Sequence, residues 1–118
     1  MKKIIKKEIL AGVLFVVFSI LLLPVTANAE TSGDWEYEVN EKGNGVTLVK
    51  YNGSETQLTI PATLDGKTVT VIGYETFRDN DVLTSVAMSD NIKKIEQEAF
   101  CDCTNLREIE FSNNIEDI

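Results

Sequence analysis

The chain has 118 residues, 11 of them basic and 19 acidic, with no histidine and two cysteines. A net charge of −8 argues against nucleic acid and anionic membrane as partners, because both attract a basic footprint. Without histidine no Ser-His-Asp or Cys-His centre can be assembled from this chain, and two cysteines alone are too few for a metal site.

Residues 1–29 read as a secretory signal peptide. Lys2, Lys3, Lys6 and Lys7 form a basic start, Ile9 to Leu23 is an apolar run, and Pro24 breaks it. Ala27-Asn28-Ala29 is a small-x-small cleavage site, which places the cut between Ala29 and Glu30. The run is shorter than the roughly 20 residues that span a bilayer, so export to the medium or the cell surface is expected rather than anchoring. Removing four lysines and Glu8 leaves 7 basic and 18 acidic residues in 30–118, a net charge of −11. Such a surface favours solubility, with a specific acidic binding face as the alternative.

Residues 30–71 read as a small β-rich N-terminal cap. Trp35, Tyr37 and Val39 alternate with acids, and Gly43-Asn44-Gly45 makes a turn. Val46, Leu48, Val49 and Tyr51 continue the pattern, and Asn52-Gly53 has the form of a tight turn. It also matches a glycosylation sequon with Ser54. Leu58 and Ile60 alternate again, Asp65-Gly66 turns the chain, and Val69 to Ile72 leads out as a strand. Trp35 and Tyr37 are expected to pack in the cap. The alternative makes Trp35, Tyr37, Tyr51 and Tyr74 platforms for carbohydrate or cell wall. Gly66-Lys67-Thr68 ends like a phosphate loop, but the glycine needed five residues earlier is Pro61, which excludes it.

Residues 72–118 are one unit written twice. Ile72, Phe77, Leu83, Val86, Met88 and Ile92 recur 23 positions later as Ile95, Phe100, Leu106, Ile109, Phe111 and Ile115. Glu75/Glu98, Asp79/Asp102, Ser89/Ser112 and Asn91/Asn114 are identical at the same spacing. A fixed period of that length marks a stacked repeat whose units bury their apolar sides only against neighbours. Within a unit, Ile109-x-Phe111 suits a short strand with both side chains inward, Asn113-Asn114 suits a turn, and Glu96 to Phe100 suits one helical turn. Ile118 opens a third copy. A stop there predicts either a fragment of a longer repeat protein without activity of its own or a chain that self-associates through this open end.

The stretch "AFCDCTNLREIEFSNNIEDI" resembles the BspA-like leucine-rich repeat family. Ala99, Phe100, Cys103, Leu106, Ile109, Phe111, Ile115 and Ile118 fit its repeat, and the preceding copy fits with Asn80, Leu83, Val86, Met88, Ile92 and Ile95. Ser89 and Ser112 stand where that family often has proline, and Thr76 replaces the alanine before Phe77. "LTIPATLDGKTVTVIGYETF" is similar to its lead-in segment, so the resemblance covers about residues 35–118. It implies an α/β repeat fold, a leucine-rich-repeat solenoid of short parallel strands and one-turn helices behind the β-rich cap. It also implies a secreted or surface-exposed binding module for protein–protein interaction or adhesion, with an extracellular or surface protein as partner.

With Ile109 and Phe111 inward, Glu108, Glu110 and Ser112 are expected to face out, and Ser85, Ala87 and Ser89 form the matching row. These six residues are the candidate partner-binding surface. No cofactor, metal or catalytic residue is expected. Cys103 is expected inside its coil and Cys101 nearer solvent, both structural, with redox or intermolecular pairing as the alternative. A disulfide between positions two apart is disfavoured by geometry.

Overall fold

A computed structural model describes residues 29–118, so the basic start and apolar run of the expected leader lie outside it. The described chain forms nine strands: β1 (Glu30–Ser32), β2 (Trp35–Val39), β3 (Val46–Tyr51), β4 (Gln57–Thr59), β5 (Thr63–Leu64), β6 (Lys67–Ile72), β7 (Ser85–Ala87), β8 (Lys94–Ile95) and β9 (Glu108–Glu110). They make two ladders. One is the parallel sheet β4-β7-β9, and the other runs β1-β2-β3-β6 with β8 also paired to β6. No helix of the described residues is long and apolar enough to cross a membrane.

The repeat register is visible in both ladders. Ser85 pairs with Glu108 and Val86 with Ile109, while Val71 pairs with Lys94 and Ile72 with Ile95, each 23 residues on. One coil therefore passes through a strand of each ladder. β4 lies one coil earlier, but Gln57 pairs with Ser85 at an offset of 28. The longer offset accommodates the hairpin β5–β6, turned by Asp65 at φ 51° and Gly66 at φ 80°. Two successive left-handed residues make the tight turn whose twist suits a two-residue hairpin.

The N-terminal strands close one end. β1, β2 and β3 run antiparallel, and β3 then joins β6 in parallel. Alternation in β2 and β3, shifted by a bulge at Val49, directs Trp35, Tyr37, Val46, Leu48 and Tyr51 into the same core as Leu58, Ile60, Val69, Ile72, Phe77 and Leu83. Asn52-Gly53 is not a hairpin turn. Gly53 has no positive φ, and a Cβ there would overlap the Tyr51 ring and hydroxyl, so glycine serves a close approach to the aromatic core.

The helical turns expected at Glu96–Phe100 and its earlier copy are absent. The described residues contain no helix, and these segments are chained tight turns. Ala99 N–H donates to Glu96 O, Cys101 N–H to Glu98 O and Cys103 N–H to Phe100 O, all three residues back. The intervening amides leave the coil: Phe77 N–H donates to Ala99 O and Asp79 N–H to Cys101 O of the next one. Those sideways bonds compete with a helix's i−4 bonds. They also require left-handed residues at Glu75, Asp79, Glu98 and Asp102, with φ between 57° and 61°. Two of the recurring identities, Glu75/Glu98 and Asp79/Asp102, thus mark backbone sign.

Strand alternation ends sooner than the spacing predicts. Phe111 is 48 % exposed and Ser112 only 6 %, the reverse of the expected inward and outward assignment. β9 stops at Glu110, and the chain then bends so that the Ser112 hydroxyl accepts the Asn114 N–H at 3.0 Å. Ser89 does the same for Asn91 at 3.2 Å. The paired serines are turn residues at the end of the strand.

Candidate functional site

The parallel sheet β4-β7-β9 presents two outward rows. Gln57, Ser85 and Glu108 stand opposite one another, as do Thr59, Ala87 and Glu110. The row between them, Leu58, Val86 and Ile109, points into the core: Leu58 is 8 % exposed, Val86 2 %, and Ile109 is half-buried. Cross-strand residues on one face lie close enough to act together, so each row reads as a strip crossing the strands. The same residues line a shallow groove of about 320 Å³.

Of the six residues expected at the surface, Ser85, Ala87, Glu108 and Glu110 come together in this groove. Ser89 and Ser112 do not, because they close the turns after their strands. Gln57 and Thr59 were not anticipated. Their strand stands 28 residues before β7, outside the 23-residue register. A usable signal was present nonetheless: Leu58-x-Ile60-Pro61 aligns with Val86-x-Met88-Ser89 and Ile109-x-Phe111-Ser112, and Pro61 occupies the serine position.

The groove is neutral over β4 and β7 and acidic over β9. Glu108 and Glu110 are two residues apart on one strand, so both carboxylates project from the same side, and both are exposed. The remaining side-chain clusters hold structure. Arg78 pairs with Glu75 in its own coil and Glu98 in the next, and the Tyr74 hydroxyl donates to Glu98 at 3.0 Å. Tyr74 is held up to about 12, chiefly by bonds to Glu75 and Glu98. Asn113 N–H donates to Asp90 Oδ1 at 2.8 Å and Asn114 Nδ2 to Asp90 O at 3.0 Å, tying turn to turn.

Trp35 and Tyr37 pack in the core as expected, and three of the four rings named in the platform alternative are buried. Trp35 is 8 % exposed, Tyr37 0 % and Tyr51 8 %, and Trp35 packs on Tyr51 at 4.7 Å and edge-on to Phe77 at 5.9 Å. Only Tyr74 of the four is open to solvent. Both cysteines are half-buried free thiols, and Cys103 Sγ donates to Phe77 O of the preceding coil at 3.0 Å. Burial pushes both thiols up. Among the described residues no three acidic or cysteine side chains gather as a metal site.

Comparison with known proteins agrees with this geometry. Residues 51–118 match the family described as BspA type leucine rich repeat region (6 copies). No curated protein matches the chain. Among solved structures, a leucine rich repeat protein of T. pallidum superposes with a TM-score of 0.69 at 23 % identity, over 75 % of this chain and 41 % of that one. A leucine rich cell surface protein of Faecalibacterium prausnitzii A2-165 superposes at 0.67 with 34 % identity, over 76 % of this chain and 25 % of that one. A leucine-rich repeat protein of Bacteroides capillosus ATCC 29799 superposes at 0.65 with 27 % identity, over 74 % of this chain and 67 % of that one. The chain thus spans less than half the length of the first two.

Proposed function

This chain belongs to the BspA-type leucine-rich repeat family, and from that premise we propose that it receives an extracellular or cell-surface protein on the sheet β4-β7-β9, as an adhesion or recognition module. Repeat solenoids expose strand faces as extended surfaces suited to protein–protein contact. The observation that carries the reading is the pair of outward rows, Gln57-Ser85-Glu108 and Thr59-Ala87-Glu110, on a sheet whose middle row is committed to the core. The rows form one outward face with a charged end. Glu108 and Glu110, in a region of net charge −11, suit a partner carrying lysine or arginine. A surface location fits the description of the F. prausnitzii relative and the leader read in residues 1–29. An alternative that makes the chain a spacer would leave these rows without a partner.

The experiment is a binding screen of residues 30–118 against extracellular proteins, repeated with Glu108→Gln/Glu110→Gln. A partner on this face associates more slowly with the variant, and its salt dependence flattens, while the melting temperature holds. A partner indifferent to both charge and salt binds elsewhere.

A further inference from the structure

The parallel sheet has an open edge at β4. Thr56 O accepts the N–H groups of Thr84 and Ser85, and Ile60 N–H donates to Ala87 O. Residues 56, 58 and 60 therefore turn their backbone groups toward β7. Successive residues of a strand direct these groups to opposite sides, so Gln57 and Thr59 turn theirs away. Among the described residues β4 has no second neighbour in its sheet. Among the described residues no strand pairs on that side of β4, and no turn or loop bond reaches the outward N–H and C=O of Gln57 and Thr59. The other ladder differs here, because β3 continues it past β6. The N-terminal strands extend one ladder and leave its companion bare.

Space is present beside this edge. A groove of about 390 Å³ runs along it, walled by Asp34, Trp35, Tyr51 and Glu55 across from β4. Its ionisable side chains other than the buried tyrosine are the two acids, and no lysine or arginine lines it. Gln57, Leu58 and Thr59 line both this groove and the one over the outward rows, so the two surfaces are continuous.

We propose that the outer edge of β4 takes an extended basic segment of a partner protein as an added strand, extending the sheet β4-β7-β9 by one. Main-chain bonds to Gln57 and Thr59 would hold the segment, while Asp34 and Glu55 select lysine or arginine on it. The edge is short, which restricts pairing to a brief match and guards against edge-to-edge aggregation. The proposal rests on the reading of the sheet β4-β7-β9 as the binding face, because the added strand belongs to that sheet.

The test uses residues 30–118 and three fluorescent peptides: Lys-Val-Lys-Val-Lys, Glu-Val-Glu-Val-Glu, and the basic peptide N-methylated at every residue. The basic peptide should bind and slow exchange of the Gln57 and Thr59 amides. The acidic and methylated peptides should bind at least about tenfold more weakly. Asp34→Asn/Glu55→Gln should weaken the basic peptide about tenfold, and Glu108→Gln/Glu110→Gln should leave it unchanged. Indifference to N-methylation, unaltered exchange at Gln57 and Thr59, or no binding overturns the added strand. Sensitivity to the Glu108/Glu110 variant alone also overturns it, while upholding the face of the outward rows.

Discussion

The rings of Phe77 and Phe100 stack with centroids 5.0 Å apart and planes 6° from parallel. They occupy the same position in successive coils, so this contact is the repeat expressed as packing. Their surroundings differ. Phe77 is 1 % exposed, with Trp35 and Tyr51 on its N-terminal side, whereas Phe100 is half-buried. Phe77→Ala should cost about 3–5 kcal/mol, as a fully buried phenylalanine does. Phe100→Ala should cost about 1–3 kcal/mol, since less apolar area leaves water. Urea unfolding reads both, and equal losses would contradict the difference in coverage.

Glu98 distinguishes a helical turn from the chained turns found here. Its φ is 61°. A left-handed L-residue costs about 1–2 kcal/mol, a penalty glycine escapes. Comparing Glu98→Gly with Glu98→Ala cancels the lost bonds to Tyr74 and Arg78. Glycine should be the more stable of the two, by up to about 1 kcal/mol once its unfolded-state entropy is counted. In a helix alanine would win by a similar margin. Thermal unfolding of the two variants decides between them.

These two cases show what was legible beforehand. The apolar register from Ile72 to Ile115 could be read because packing demands the same residue type at each pass. The turns could not, because Glu96-Gln97-Glu98-Ala99 has helix-forming composition while the bonds that defeat the helix run to another coil. The alternation at Leu58 and Ile60 marked a strand, but its place beside β7 was hidden because the Asp65-Gly66 hairpin lengthens its coil. The outward positions of Ser85, Ala87, Glu108 and Glu110 followed from alternation. Ser89 and Ser112 were misassigned because their hydroxyls serve the following turn, where the strand period no longer applies.

Tyr37 and Asp65 give the fold an acid-sensitive contact. The Tyr37 hydroxyl donates to Asp65 Oδ2 at 2.6 Å, and Ser32 donates to Oδ1 at 3.0 Å. The Tyr37 bond, then that of Ser32, holds the Asp65 carboxyl below its ordinary value of 3.8. A depressed folded-state pKa adds stability above the unfolded value, which is lost as pH falls through the folded one. Tyr37→Phe should raise the Asp65 pKa, seen by carboxyl carbon NMR titration. It should also reduce the stability lost on acidification below about pH 4. An unchanged titration would show that the tyrosine does not hold the carboxylate.

Gly53 supports the aromatic core from outside. A methyl at this position meets the Tyr51 ring and hydroxyl, and Tyr51 is 8 % exposed between Trp35 and Phe77. Gly53→Ala should destabilise by about 1–3 kcal/mol through displacement of that ring. Tyr51→Phe/Gly53→Ala should recover part of the loss, because the hydroxyl is the closest obstacle. A neutral single substitution, measured by calorimetry, would mean that the ring moves freely.

The most direct measurement is a hydrogen-exchange footprint of residues 30–118 bound to the partner recovered in the screen. Protection is predicted at residues 57–59, 85–87 and 108–110, the strands of the sheet β4-β7-β9. Protection confined to the turns at 74–79 and 97–102, with the three strands unchanged, would contradict binding on that sheet.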